Sequence, residues 1–330
     1  MKQTNWLKLV LEALLVANWM VLIGVSPVAG QPSHAQVAVL TPGITLASVH
    51  EGLQEGLARL GYKEGKNITY LVDDTKGSTS DLVLRAAKLL TAKPDVIFAV
   101  TTLHAVAAKR ATTTVPIVFA WVGDPIQAGL IASYASSKNN LTGISSSSAM
   151  LSGKRLDVLL EVAPKVKRLL VFVVPEESAG LIALQVLEET AKKLGVQLVR
   201  RVVTNREEID RALKEAPKVS VDAIFFISST LVRANIDLLV KKAKRERIPL
   251  AVHEDSLVEI GGLISYGSDP RLAGLQAAVL VDKVLKGTRP GEILVETPDR
   301  FFLAINLRTA KEIGLHIPSA ILERADRVVE

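Results

Sequence analysis

After residue 36 the chain alternates short apolar, β-branched runs with longer stretches of helical periodicity. "VAVL" (37–40) precedes "SVHEGLQEGLARLGY" (48–62), where Ser48 and Glu51 have the S-x-x-E spacing of a capping box. "NITYLV" (67–72) precedes "STSDLVLRAAKLLTA" (78–92), "DVIFAV" (95–100) precedes "LHAVAAKRA" (103–111), and "PIVFAWV" (116–122) precedes "PIQAGLIASYA" (125–135), also read as a helix. From Arg168 the rhythm restarts with "RLLVFVV", "VQLVRRVV", "VDAIFFI" and "IPLAVHE" (248–254), with helical stretches between them. Strands spaced by such helices make parallel sheets with right-handed crossovers.

The restart is a repeat. "DVIFAVTT" (95–102) matches "DAIFFISS" (222–229) from the leading Asp to the closing hydroxyl pair. Val115-Pro116 stands as far before Gly129-Leu130-Ile131 as Ile248-Pro249 does before Gly262-Leu263-Ile264, which aligns Trp121 with Glu254. "LARLGY" (57–62) likewise parallels "AKKLGV" (191–196). The fold class is therefore α/β, with two doubly wound parallel-sheet lobes. "NNLTGISSSSAMLSG" (139–153), polar and Ser-rich, reads as the crossing between them. "RLAGLQAAVLVDKVLKG" (271–287) is one amphipathic helix stopped by Gly287, and "EILVETP" and "FFLAINLRTAKEIGL" follow it. These pieces complete both sheets most economically if the chain crosses more than once, forming a hinge. The expected division is 36–144 plus 268–297 for lobe 1, and 145–267 plus 298–330 for lobe 2.

The first 35 residues break the pattern. Lys2 and Lys8 precede an apolar stretch from Leu9 to Val25, then small residues at Val28-Ala29-Gly30 and Ser33-His34-Ala35. That is the layout of a secretory signal peptide, with cleavage after Gly30 or Ala35 and an uncleaved anchor as the alternative. The chain contains no cysteine, so this signal lacks the residue that lipid attachment requires, and nothing in the chain needs an oxidising or a reducing compartment. A periplasmic location fits both observations. The net charge of +6 over 330 residues is modest, and its Lys and Arg alternate with Glu and Asp, most densely at Lys241–Arg247. That reads as a solvated helix face and points to no nucleic-acid partner.

Ligands of open α/β sheets bind at the carboxyl ends of strands, where helix N-termini present free N–H groups. Strand ends in the first lobe carry Thr41-Pro42, Thr101-Thr102, Trp121 and Asp124. Those of the second carry Glu176, Ser178, Ser228-Ser229, and Glu254-Asp255 after His253, with Tyr266 in "LISYGSD". Hydroxyls at helix starts suit a carboxylate, the acidic residues suit an ammonium or hydroxyl groups, and Trp121 or Tyr266 suits an apolar or ring portion. The competing roles are N-capping for the hydroxyls and for Asp124 before Pro125, and a core position for Trp121. Consecutive His253-Glu254-Asp255 on a strand point to opposite faces, so no metal is expected, nor any cofactor. Phosphate-loop, dinucleotide, zinc-protease and G-x-S-x-G motifs are absent, and cysteine nucleophiles are excluded. The chain does not read as an enzyme.

"EGLARLGYKEGKNITY", "VPIVFAWVGDP", "NNLTGISSSSAMLSGKRLDVL", "GGLISYGSDP", "VDKVLKGTRPGEILVETP" and "INLRTAKEIGLHIP" occur in that order. With them the chain resembles the ABC-transporter substrate-binding protein family, in particular its TrpX-like, tryptophan/tyrosine-type periplasmic binding proteins. The resemblance runs from about residue 50 to the end. It implies a type I periplasmic-binding-protein fold, a closing hinge, and a monomer that delivers a small solute to an ABC permease and its ATPase subunit. It further implies a cleft lined by Thr41 to Ala47, Thr101-Thr102, Gly123-Asp124-Pro125, Glu176–Ser178, Ser228–Thr230 and Glu254–Asp255. Two departures stand out. Relatives carry an Asn-Pro-rich loop where this chain has "VVPEESAGL", and they often begin as lipoproteins. The solute is then an aromatic amino acid or a different small molecule. A periplasmic sensor partner of a receptor and an α/β enzyme using cleft carboxylates are the alternative functions.

Overall fold

The apolar runs pair into two separate sheets in the computed structural model, which describes residues 34–215, 221–298 and 300–330. The export signal expected over residues 1–35 lies, but for its last two residues, outside the described residues. The first sheet contains β1 (Ala35–Thr41), β2 (Ile68–Asp74), β3 (Val96–Val100), β4 (Ile117–Val122) and β5 (Leu141–Ser145). Its order is β2-β1-β3-β4-β5 and every pairing is parallel. Helices α1 (Ala47–Arg59), α2 (Leu82–Leu90) and α3 (Thr102–Ala111) follow its first three strands.

The second sheet contains β6 (Arg168–Val173), β7 (Gln197–Val202), β8 (Ala223–Phe225), β9 (Leu250–Val252), β10 (Ile264–Gly267), β11 (Phe302–Asn306) and β12 (Arg327–Val329), in the order β12-β11-β10-β9-β8-β6-β7. Helix α4 (Ser152–Val162) leads into it, and α5 (Ser178–Leu194), α6 (Arg206–Glu215), α7 (Thr230–Ala234), α8 (Ile236–Glu246) and α9 (Ser256–Glu259) connect its strands. Helix α10 (Pro270–Leu285) returns to the first sheet, and α11 (Leu307–Ile313) and α12 (Ser319–Leu322) cover the second. This sheet is not wholly parallel, because β11 runs antiparallel to β10. The chain reaches β11 from the other lobe, so no crossover on this lobe forces it parallel.

The repeat has a physical basis. Asp95 accepts the Gln36 N–H (2.7 Å), and Asp222 accepts the N–H groups of Lys167 (3.0 Å) and Arg168 (2.8 Å). Each Asp thus closes off the start of the neighbouring strand. Gly61 and Gly195, the shared glycines of "LGY" and "LGV", both take positive φ (94° and 68°) just past a helix, where a side chain would be strained. The Pro-to-Gly match is carried only halfway. Leu263-Ile264 leads into β10, whereas Leu130 and Ile131 are buried in an irregular stretch.

Three further expectations are corrected. Residues 125–135 form one turn and no helix: Asp124 Oδ1 accepts the N–H groups of Ile126 (3.1 Å) and Gln127 (3.0 Å), and Gly129, at φ 67°, ends the turn. Burial of Leu130 and Ile131 against β3 and β4 outweighs the helical pattern. Ser48 is the second residue of α1, which the chain enters through a 3-10 turn at Gly43–Leu46, so the capping box does not form. The polar stretch 139–153 contributes β5 to the first sheet before it crosses, and "EILVETP" contributes a single bridge, Ile144 to Glu296.

The chain passes between the sheets after β5, after β10 and after Glu296. Ser268 Oγ donates to Ser146 O (3.0 Å), tying the first two passages together. The wholly buried Arg155 of α4 donates from Nε to Tyr266 O (3.1 Å) beside them, and burial lowers its pKa to about 9. Helix α10 fits α1 because glycines let the backbones meet: a Cβ on Gly52 would lie 2.1 Å from Arg271 O, and one on Gly274 2.0 Å from Val49 O.

Candidate ligand cleft between the two sheets

The carboxyl ends of β3 and β4 form one wall, and both are strained there. Thr101 and Trp121 have φ of 80° and 61°, a region that β-branched and bulky residues rarely adopt. At Trp121 the pairing of β4 with β5 shifts register, a bulge of the kind that re-aims a side chain. The ring packs with the core over α10 and also lines the cleft, so the core and wall readings of Trp121 both hold.

Thr101 precedes α3 without a side-chain cap on the helix, because its hydroxyl lies 2.7 Å from His104 Nδ1. His104 Nε2 is 3.2 Å from the Thr75 hydroxyl. Burial, aided by the Arg85 cation, pushes His104 down to about 4, so the ring is neutral and passes a hydrogen-bond chain from Thr75 to Thr101. Thr102 Oγ1 accepts the Gly123 N–H (3.4 Å), which joins the ends of β3 and β4.

The opposite wall comes from α5, α7 and the end of β9. The buried Glu177 carboxylate accepts the N–H groups of Thr230 (2.8 Å) and Leu231 (3.0 Å) at the start of α7. Burial raises its pKa against those hydrogen bonds. Ser229 Oγ accepts the Val232 N–H (3.1 Å) as the N-cap of the same helix. Arg233, one turn further on, pairs through Nε with Oε1 of the wholly buried Glu254. His253 is buried edge-on against Phe226, and its burial and the Arg155 and Arg233 cations hold it well below the usual imidazole range.

The two walls meet at both flanks. A Cβ on Gly123 would lie 3.1 Å from Ala179 Cβ, and one on Gly77 3.2 Å from Ala234 Cβ. Between them runs a narrow slot lined by Pro42, Leu46, Thr101, Thr102, Leu103 and Trp121 on one side. Glu177, Ser178, Ala179, Ser228, Ser229, Thr230, Arg233 and His253 line the other.

Of the residues expected at the site, the cleft collects Pro42, Thr101, Thr102, Trp121, Ser178, Ser228 and Ser229. The others lie outside its lining. The Thr41 hydroxyl accepts the Gly43 N–H (3.2 Å), and Asp124 caps its own turn. Glu176 borders a neighbouring groove with Leu82, Leu103 and Arg110. Glu254 stands behind Arg233, Asp255 caps Ser256 (2.8 Å) and pairs with Arg327 (3.1 Å), and Tyr266 packs against Phe301 and the core. Glu177 falls within the Glu176–Ser178 loop that the resemblance implies, and His253 within the strand end that carries Glu254. Arg233 has no such signal, because it lies inside a helix rather than at a strand end. Among the described residues no group of three or more His, Asp or Glu is placed to hold a metal ion.

Two α/β lobes joined by several passages, with strand ends facing each other across a slot, form the two-lobed frame of a cleft that can hold a small ligand. The family model for ABC transporter substrate binding proteins matches residues 35–329, and the chain belongs to that family. It is 28% identical over 276 residues to a tyrosine-binding protein of Clostridioides difficile, covering 84% of this chain and 79% of that one. A conserved domain protein of Vibrio cholerae, solved by crystallography, is 30% identical, with a TM-score of 0.84 over 89% of this chain and 99% of that one. An ABC domain from Streptococcus pneumonia in complex with L-Trp superposes with the same TM-score, 0.84, at 24% identity, over 90% of this chain and the whole of the other.

Proposed function

We propose that the chain captures an aromatic amino acid in the slot between its sheets. It would then present the solute, with the lobes closed, to the permease of an ATPase-driven importer outside the cytoplasmic membrane. The observation that carries this reading is the ring of Trp121 lining the same narrow slot as the buried carboxylate of Glu177 and the cation of Arg233. A ring, an anion and a cation match the three parts of an aromatic amino acid. Support also comes from the tyrosine-binding relative and from the fold shared with an L-Trp complex.

In this reading Pro42, Leu46 and Trp121 contact the ring, and the hydroxyls of Thr101, Thr102, Ser178, Ser228 and Ser229 complete the polar contacts. Residues 36–144 with 268–297 move as one body, and 145–267 with 298–330 as the other. Residues 1–35 act as the export signal, and the mature chain works as a monomer. Closure is favoured because the ligand touches both walls only in the closed state.

The experiment is a thermal-shift and calorimetric screen of amino acids against polyols and sugars, followed by small-angle scattering with the best binder. Tyrosine or tryptophan raises the melting temperature and shrinks the radius of gyration. A protein that responds to polyols and ignores aromatic amino acids overturns the proposal.

A further inference from the structure

We propose that Arg233 receives a carboxylate of the solute and that Glu254 is the residue that fixes the guanidinium for it. The inference rests on the reading of the slot as the ligand site, and it names the chemistry the ligand must carry. Arg233 lines the slot and is nearly buried, with 12% of its side chain exposed. Its Nε is committed to Glu254, and among the described residues neither Nη group has a hydrogen-bond partner. A guanidinium has five donors in a fixed plane, and with Nε held the remaining edge matches a carboxylate with two parallel bonds.

Glu254 suits this task because it is wholly buried and cannot swing away into water. Its Oε2 is also buried and unpartnered, and while burial raises its pKa, the charge and hydrogen bond of Arg233 act to lower it. The other groups on this wall do not compete for an anion. Glu177 is itself acidic and already occupies the N–H groups that open α7. His253 is neutral between Arg155 and Arg233 and adds no charge. Glu177 therefore takes the ammonium side of the same ligand, and the slot selects zwitterions over amines and polyols.

The test uses calorimetry with three probes that share one ring: L-tyrosine, tyramine, which lacks the carboxylate, and 3-(4-hydroxyphenyl)propionate, which lacks the ammonium. L-Leucine and L-glutamate serve as carboxylates without that ring. Arg233→Met alone strands Glu254, so the variant read is Arg233→Met with Glu254→Gln, neutral at both positions, with a melting curve confirming its fold. The expected result is that this pair weakens L-tyrosine by about 30-fold or more and leaves tyramine within about threefold, while Arg233→Lys falls between. If L-tyrosine binds wild type and variant alike, the carboxylate docks elsewhere, at the start of α3, and the inference falls while the aromatic reading stands. If a carboxylate without the ring binds in an Arg233-dependent way and tyrosine does not, the inference stands and the aromatic reading falls. Silence from every carboxylate overturns both.

Discussion

Gly123 of the first lobe faces Ala179 of the second so closely that a Cβ on Gly123 would sit 3.1 Å from the alanine Cβ. The two lobes are therefore in contact beside the slot, and the space for a side chain at Gly123 exists only when they part. Gly123→Leu is expected to hold the lobes open. Scattering of the variant should show no compaction with a ligand that compacts the wild type, and its affinity should fall by about tenfold or more, since the open state lacks half the contacts. The melting temperature without ligand should stay unchanged. A variant that compacts normally would show that this contact does not gate closure.

Trp121 also provides an optical readout. The three tryptophans are Trp6, Trp19 and Trp121, so a chain beginning at residue 34 carries Trp121 alone. Ligand entering the slot should shift its fluorescence in proportion to occupancy. Trp121→Ala should abolish detectable binding of aromatic solutes and cost about 3–5 kcal/mol of stability, because the ring also packs with the core over α10. Trp121→Phe should keep most of the stability and lose binding by a smaller factor. An unchanged spectrum at saturating ligand, with binding confirmed by calorimetry, would place the solute away from the ring.

The neutral His104 links stability to pH. Its pKa in the fold, about 4, lies below the ordinary 6.5, so the unfolded chain binds the extra proton between those values. The stabilisation is complete above about pH 6.5 and is lost as pH falls toward 4. Burial raises Glu177 and Glu254, which act with the opposite sign, so the quantity to measure is the difference between wild type and His104→Gln. Urea midpoints taken from neutral to mildly acidic pH should fall more steeply for the wild type. Parallel curves would mean that His104 titrates normally in the fold.

Helices α1 and α10 pack backbone to backbone at Gly52 and Gly274. Gly274→Ala would push a methyl to 2.0 Å from the Val49 carbonyl oxygen, a backbone atom that cannot turn aside. The variant should be destabilised by about 1–3 kcal/mol or more, with a lower urea midpoint. Gly314→Ala, at a helix end where a Cβ meets nothing within 4 Å but φ is 74°, should cost less and act through backbone strain alone. Equal midpoints for Gly274→Ala and wild type would show that the helices can separate at no cost.

Much of the fold is legible along the chain because its causes are local or repeated. "DVIFAV" and "DAIFFI" each form a central strand with an Asp at its start, and that Asp binds the neighbouring strand in both lobes. The strand-end rule also brought seven residues to the cleft, from Pro42 to Ser229. The rule fails where neighbours compete. Glu176 and Glu177 are adjacent and both acidic, but only the second turns inward to hold the start of α7. The 125–135 segment carries a helical pattern, but the core claims Leu130 and Ile131 first. Arg233 and Glu254 lie 21 residues apart, and nothing in either segment announces the pair.

The sequence by itself determined the alternation of strands and helices, the two-lobe repeat and the absence of enzyme motifs. These depend on which residues must be buried, and burial is written in short-range periodicity. Only the tertiary structure decided which side chains share the slot, because that depends on how two separately folded sheets face each other across three passages of chain. The strain at Thr101 and Trp121 belongs to the same level. A residue adopts such a backbone only where the surrounding packing holds it there, and no local pattern encodes that packing.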